Sequence, residues 1–258
     1  MKKSLEKSKI IKKTVACIHL EELIKVNAQN TIANLHLLYT INRENFIALL
    51  REQYTPEVLK CTHNIAQAIV YLITHNKNFL RETIENFSNQ YHLDFHSLHV
   101  AIYAVNLGNL LNLEKNKLLE LAIASLFIDI GLKMIDENIT HEVLSLDTLT
   151  KQNIHLHPQY SIDILAHNHI HNPYIIEAVL HHHERYDGSG YPNALQKREI
   201  SQYAAILGIC DTFDALTNER PYRKQFTYFE ALDFMLNHTS MQGKFNTQYL
   251  KIFLKSFT

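Results

Sequence analysis

The sequence predicts an all-α fold, a helical bundle preceded by a small helical N-terminal domain, and three observations carry that expectation. Gly and Pro number only 6 and 5 among 258 residues, too few for the many tight turns of a sandwich or barrel. Apolar residues recur at helical spacing, and no segment alternates with a period of two. With 46% apolar and 20% charged residues, the chain can bury a core without disulfides or metal as a folding requirement, and disorder is excluded.

The elements follow in order. Residues 1–55 read as amphipathic helices without a catalytic constellation. The first thirteen residues carry six Lys and one Glu and read as a solvated terminus. Thr55-Pro56-Glu57 is a helix start, with a capping hydroxyl, proline at the first helical position and a carboxylate near the positive end of the dipole. It sets the boundary of a second domain spanning 56–258. Two helical stretches fill 56–89, a long helix follows Leu93-Asp94, and another covers 118–132. Asn172-Pro173 starts a further helix, 203–216 forms the next, and the last begins near Thr227.

A net charge of −1 argues against nucleic acid as a partner. Cys17, Cys61 and Cys210 lie far apart and form no CxxC pair, so neither a disulfide framework nor a thiolate zinc site is expected. No apolar run follows the basic start, and none approaches the roughly 18 residues of a membrane span. A cytoplasmic protein without a membrane span is expected.

The oddest count is His, 17 of 258, with nine between His141 and His183. Helical geometry sorts these residues, since each step turns about 100°. With Ile175 at zero, the apolar arc of Ile175, Ile176, Val179 and Leu180 centres near 70° by that ~100° step. His183 falls inside the arc, His182 on its edge and His181 on the opposite face, toward water. On the helix after Leu93, His96 lies at the centre of the face shared by Val100, Tyr103 and Leu107, with His99 at its edge. Asp129 shares a stripe with Leu118, Ala122 and Ser125, and Asp211 lies between Ala204 and Leu207. Carboxylates in buried helices need compensation. Imidazoles and carboxylates on four helices suit iron, manganese, zinc or nickel; the alternative is a set of hydrogen-bonded core histidines and capping or salt-bridged aspartates.

Asp187 to Pro192 holds two of the six glycines, Gly188 and Gly190, which suits either an ordinary helix-ending turn or close backbone approach to a ligand. Arg220-Pro221-Tyr222-Arg223-Lys224 sets two guanidiniums and an ammonium around a proline and an aromatic, which suits either a phosphate with a stacked base or a solvated basic loop.

Together these segments resemble the HD-GYP family, a branch of the HD superfamily of metal-dependent phosphohydrolases. The resemblance rests on HHERYDGSGYP (182–192), on Asp211-Thr212-Phe213-Asp214-Ala215-Leu216, on Arg220-Pro221-Tyr222-Arg223, and on His96-Ser97 and His157-Pro158. It covers roughly 56–258 and implies a helical bundle of the HD superfamily type that hydrolyses cyclic di-GMP to the linear dinucleotide or GMP. It also implies metal ligands His96, Asp129 (bridging), His157, His182, His183 and Asp211, with Asp129 and Asp211 central to catalysis. Gly190, Tyr191, Pro192, Arg220 and Arg223 would contact substrate. The resemblance implies two divalent metals, iron or manganese, or one if the first site is impaired.

The sequence also departs from the family pattern. The family's His-Asp pair reads Ile128-Asp129, its lysine three residues after that Asp is Leu132, and His92 stands where some members carry a Glu ligand. His92 and His99 are the neighbouring histidines expected to be available as substitute ligands. The alternative reading is an inactive module that binds cyclic di-GMP or a protein, and the N-terminal helices are the expected surface for a partner or a homodimer.

Overall fold

The computed structural model describes residues 24–25, 30–51, 55–87, 93–135, 152–218 and 225–257. Its regular structure there is helical. The helices are α1 (Thr31–Leu50), α2 (Pro56–His75), α3 (Phe79–Phe87), α4 (Leu93–Leu110), α5 (Lys115–Leu126), α6 (His157–His167), α7 (Pro173–His181), α8 (Gln202–Thr217), α9 (Tyr228–Asn237) and α10 (Thr247–Leu254).

The starts follow from capping chemistry. Thr55 Oγ1 accepts from the Val58 amide ahead of Pro56, and Asn172 accepts from Tyr174 and Ile175 ahead of Pro173. Thr227 and Glu230 form a reciprocal capping box at α9.

Helix α4 is the centre of the bundle. Phe95 to Val105 is buried without interruption, because α1, α2, α5 and α8 all pack around it. One apolar core joins Leu35 and Leu38 of α1, Ile65 and Ile69 of α2, Leu98 and Ile102 of α4, Leu121 of α5, Ile206 of α8 and Phe253 of α10. Helix α1 is tied to the site-bearing α4 by polar contacts as well, since Asn42 Nδ2 donates to the Asp94 carbonyl at 2.7 Å.

Three expectations need correction. The helix expected over 118–132 ends at Leu126, and Ile130–Met134 forms a 3-10 turn with Asp129 immediately before it. All-round apolar character marks burial and cannot reveal where a helix stops. Two helices go beyond the expected set: α6, which begins at His157, and α10, which follows α9 and is capped by Asn246. Cys61 is disulfide-bonded, because separation along the chain says little about distance once helices fold together.

Among the described residues, no helix is long and apolar enough to cross a membrane.

Candidate metal centre

Five chain segments bring polar side chains to one point inside the bundle. Helix α4 supplies His96, the turn after α5 supplies Asp129, and the first residue of α6 is His157. His182 caps the C-terminus of α7, His183 follows it, and α8 supplies Asp211.

Such convergence needs backbones closer than side chains normally allow. A Cβ on Gly131 would collide with the His157 carbonyl and the Ser161 backbone, and one on Gly208 would come within 2.8 Å of the His182 carbonyl. Ser161 then fixes the turn. Its hydroxyl donates to the Ile128 carbonyl at 3.2 Å and accepts from the Gly131 amide at 2.9 Å, on both sides of Asp129.

The histidine geometry decides what the cluster can hold. His157 Nδ1 lies 2.7 Å from the Ile154 carbonyl, and His182 Nδ1 lies 2.7 Å from the Val179 carbonyl. A carbonyl only accepts, so each Nδ1 carries hydrogen, and the neutral ring presents a bare lone pair at Nε2. Those two nitrogens face each other at 3.3 Å. Asp129 Oδ1 lies 3.1 Å from the first and 3.7 Å from the second. With both rings neutral, these acceptors converge with no donor between them, a demand met either by a proton on His157 Nε2 or by a bound cation. Potential ligand atoms of Asp129, His157, His182 and His183 all lie within 4.8 Å of one another. The donor set therefore fits a divalent metal, with each of these two Nδ1–H groups oriented by a backbone carbonyl.

The other oxygen of Asp129 faces a second group. His96 Nε2 lies 3.3 Å from Asp129 Oδ2 and 3.3 Å from Asp211 Oδ1, and His183 Nδ1 lies 3.7 Å from Asp211 Oδ2. Asp129 thus spans two clusters, one oxygen on each.

Proton affinities reflect the same demand for positive charge. Burial opposes charge on His96 and His157, yet hydrogen bonds to Asp129, joined at His96 by Asp211 and Asp214, outweigh it and raise both above the ordinary imidazole value. Burial and the neighbouring His157 push His182 down to about 4, and burial with His182 lowers His183. Burial would raise Asp129, but hydrogen bonds to His157 and His96 hold it well below the carboxylate range.

The loop after α7 closes one side. The Tyr191 ring is stacked between His155 (centroids 3.9 Å) and His183 (4.6 Å). Glu184 is buried and holds the loop from beneath, accepting from the Asn193 amide at 2.6 Å and the Leu195 amide at 2.9 Å. Gly190 lies against the Glu184–Arg185 backbone, where a side chain would collide, and Pro192 is exposed beside it. Arg185 anchors this segment, donating to the His182 and Glu184 carbonyls while its guanidinium lies over the Phe245 ring.

Of the residues singled out from sequence, His96, Asp129, His157, His182, His183, Asp211 and Tyr191 come together here. His181 stays outside the cluster, with Nε2 3.1 Å from Asn193 Nδ2. His99 gives its Nδ1 to Asp214 at 2.9 Å. Exposed His167, His169 and His171 are apart from the cluster. His92, Arg220 and Arg223 lie outside the described residues. Sequence reasoning did not single out Ser161, Glu184, Arg185 or Asp214 as site residues. Asp214 had a signal, standing three positions beyond Asp211 on the same side of a helix.

Residues 72–245 match the HD domain family. The chain is 25% identical over 234 residues to the cyclic di-GMP phosphodiesterase PA4108 of Pseudomonas aeruginosa, covering 90% of this chain and 56% of that protein. It is 33% identical over 133 residues to 3'3'-cGAMP-specific phosphodiesterase 2 of Vibrio cholerae, covering 51% and 26%. It thus spans about half or less of the length of these two relatives. Its fold is similar to that of Bd1817, an HDG"Y"P protein from Bdellovibrio bacteriovorus, with a TM-score of 0.71 and 16% identity, covering 87% of this chain and 71% of that one.

Proposed function

Because the chain belongs to the HD-domain family, with the motif set of its HD-GYP branch, we propose that it is a metal-dependent phosphodiesterase hydrolysing cyclic di-GMP to the linear dinucleotide or GMP. The observation that carries this reading is the lone-pair convergence of His157 and His182 on Asp129, a cation site next to a second carboxylate–imidazole group.

Two divalent ions, iron or manganese, fit the two sides of Asp129, and when bound they supply charge neutralisation at the phosphate. His157, His182 and His183 would hold the ion on one side of Asp129, and His96 and Asp211 the ion on the other. Tyr191, stacked on His183, lines the substrate site with Gly190 and Pro192, and Arg220 and Arg223 bind phosphate. The names of the relatives, which include cyclic di-GMP and 3'3'-cGAMP phosphodiesterases, support a cyclic dinucleotide as the substrate class. Residues 56–258 form the hydrolase, and residues 1–55 form the segment through which a partner or a second copy acts on it.

A specific observation favours a second reading, a binding module without turnover. Ile128 is fully buried in the apolar core, so the residue before Asp129 offers no ligand where the family pattern has histidine. Leu132 likewise stands in place of lysine.

One experiment separates the two. The protein is purified anaerobically, its metal content per chain is measured, and cyclic di-GMP turnover is followed with added Mn²⁺ or Fe²⁺. Two ions per chain with turnover support the enzyme. Binding of cyclic di-GMP without turnover, at one ion or none, overturns it.

A further inference from the structure

We infer that Asp214 is a positioning residue that clamps His96 and His99 together and so turns His96 Nε2 toward Asp129 and Asp211. The inference rests on the reading that His96 is a metal ligand.

Asp214 is 1% exposed and lies one turn beyond Asp211 on α8. Its Oδ2 lies 2.7 Å from His96 Nδ1, and its Oδ1 lies 2.9 Å from His99 Nδ1. An ionised carboxylate only accepts, so both imidazoles must donate from Nδ1. That leaves His96 Nε2 to face the two aspartates, each at 3.3 Å. Adjacent turns of two helices are thereby joined: α8 provides Asp211 to the cluster and Asp214 to the clamp, and α4 provides His96 and, three residues on, His99.

His99 has no role at the metal cluster. Its side chain is 1% exposed, and among the described residues Nε2 has no hydrogen-bond partner. The ring is packed by Tyr39 of α1 (centroids 5.6 Å) and Tyr103 (6.1 Å). A buried polar ring with one satisfied nitrogen, aimed at a carboxylate, is retained at a cost. The clamp accounts for it: His99 satisfies the second oxygen of Asp214 and stops that carboxylate from rotating away from His96. Carboxylate partners of ligating histidines fix ring orientation and raise ligand basicity.

The test uses the full chain stripped of metal, titrated with Mn²⁺ by calorimetry, with thermal melting in chelator as a separate measure of folding. Asp214→Asn preserves shape but turns an amide N–H toward one of the two Nδ1–H donors. Mn²⁺ affinity is expected to fall about 10- to 100-fold, the range for loss of such a partner, while a cooperative melt persists. His99→Gln, whose amide still donates to Asp214, is expected to stay closer to the wild-type affinity than His99→Phe. His96→Ala is the control. If it lowers Mn²⁺ binding and Asp214→Asn does not, the clamp is overturned and the ligand assignment stands. If His96→Ala leaves Mn²⁺ binding unchanged, the assignment of His96 fails and the clamp with it. Should Asp214→Asn lose its melt, the His99 pair decides, and equal Mn²⁺ affinities for Gln and Phe overturn the inference.

Discussion

His157 and His182 point their Nε2 atoms at each other across 3.3 Å, each ring having committed its Nδ1–H to a backbone carbonyl. In the neutral rings nothing but lone pairs faces the gap, with Asp129 Oδ1 beside them. Two nitrogens from different helices accept that arrangement when a cation sits between them.

The consecutive histidines 181, 182 and 183 therefore should not behave alike. His182→Ala and His183→Ala are expected to lower metal content per chain, measured by plasma mass spectrometry after dialysis. His181→Ala, whose ring contacts Asn193 instead, should leave it unchanged. Equal losses from all three would defeat the assignment.

Ser161→Ala removes both hydrogen bonds that hold the backbone around Asp129. Leaving the buried Gly131 amide and Ile128 carbonyl without this partner should cost about 1–3 kcal/mol in denaturant unfolding. Metal affinity should fall as well, because Asp129 is no longer held opposite His157. A stability loss with unchanged Mn²⁺ affinity would show that Ser161 serves the fold alone.

Introducing the histidine and lysine that the HD-GYP resemblance implies at these positions, Ile128→His and Leu132→Lys, should raise cyclic di-GMP turnover if the proposed function holds. The same change places an imidazole in an apolar site, at a cost of about 1–3 kcal/mol in the metal-free protein. Melting in chelator should drop and recover with Mn²⁺. No gain in turnover would mean that these two positions are not what limits activity.

Stability of the metal-free protein should fall on acidification through His182. Burial lowers its folded value to about 4 from 6.5, so below 6.5 the unfolded chain binds a proton that the fold refuses. The stability contributed by the neutral ring is intact above about 6.5 and lost as pH falls toward 4. In chelator, His182→Gln should lose less melting temperature than wild type between pH 7 and 5. Parallel losses would show that His182 is already charged in the fold.

Much of this was legible along the chain. The scarcity of Gly and Pro foretold helices, and the starts at Thr55-Pro56 and Asn172-Pro173 were written in capping chemistry that acts over three or four residues. The rotation of a helix put His96, His182 and His183 inward and His181 elsewhere. The turn at Asp129 was less legible, since its neighbours are apolar on every side, and so were α10 and the disulfide of Cys61.

The sequence by itself determined the residue types at the site and the faces they occupy, because helical periodicity is a local property. Only the tertiary structure decided which atom of each side chain meets which. That Asp129 divides its oxygens between two groups, that Ser161 pins its turn, and that Asp214 joins His96 to His99 depend on pairs far apart in the chain, from Gly131 with Ser161, 30 positions apart, and Ile128 with Ser161, 33 apart, to His96 with Asp214, 118 apart. Such pairs are fixed by how helices pack, and Gly131 and Gly208 admit that packing by carrying no side chain where the backbones meet.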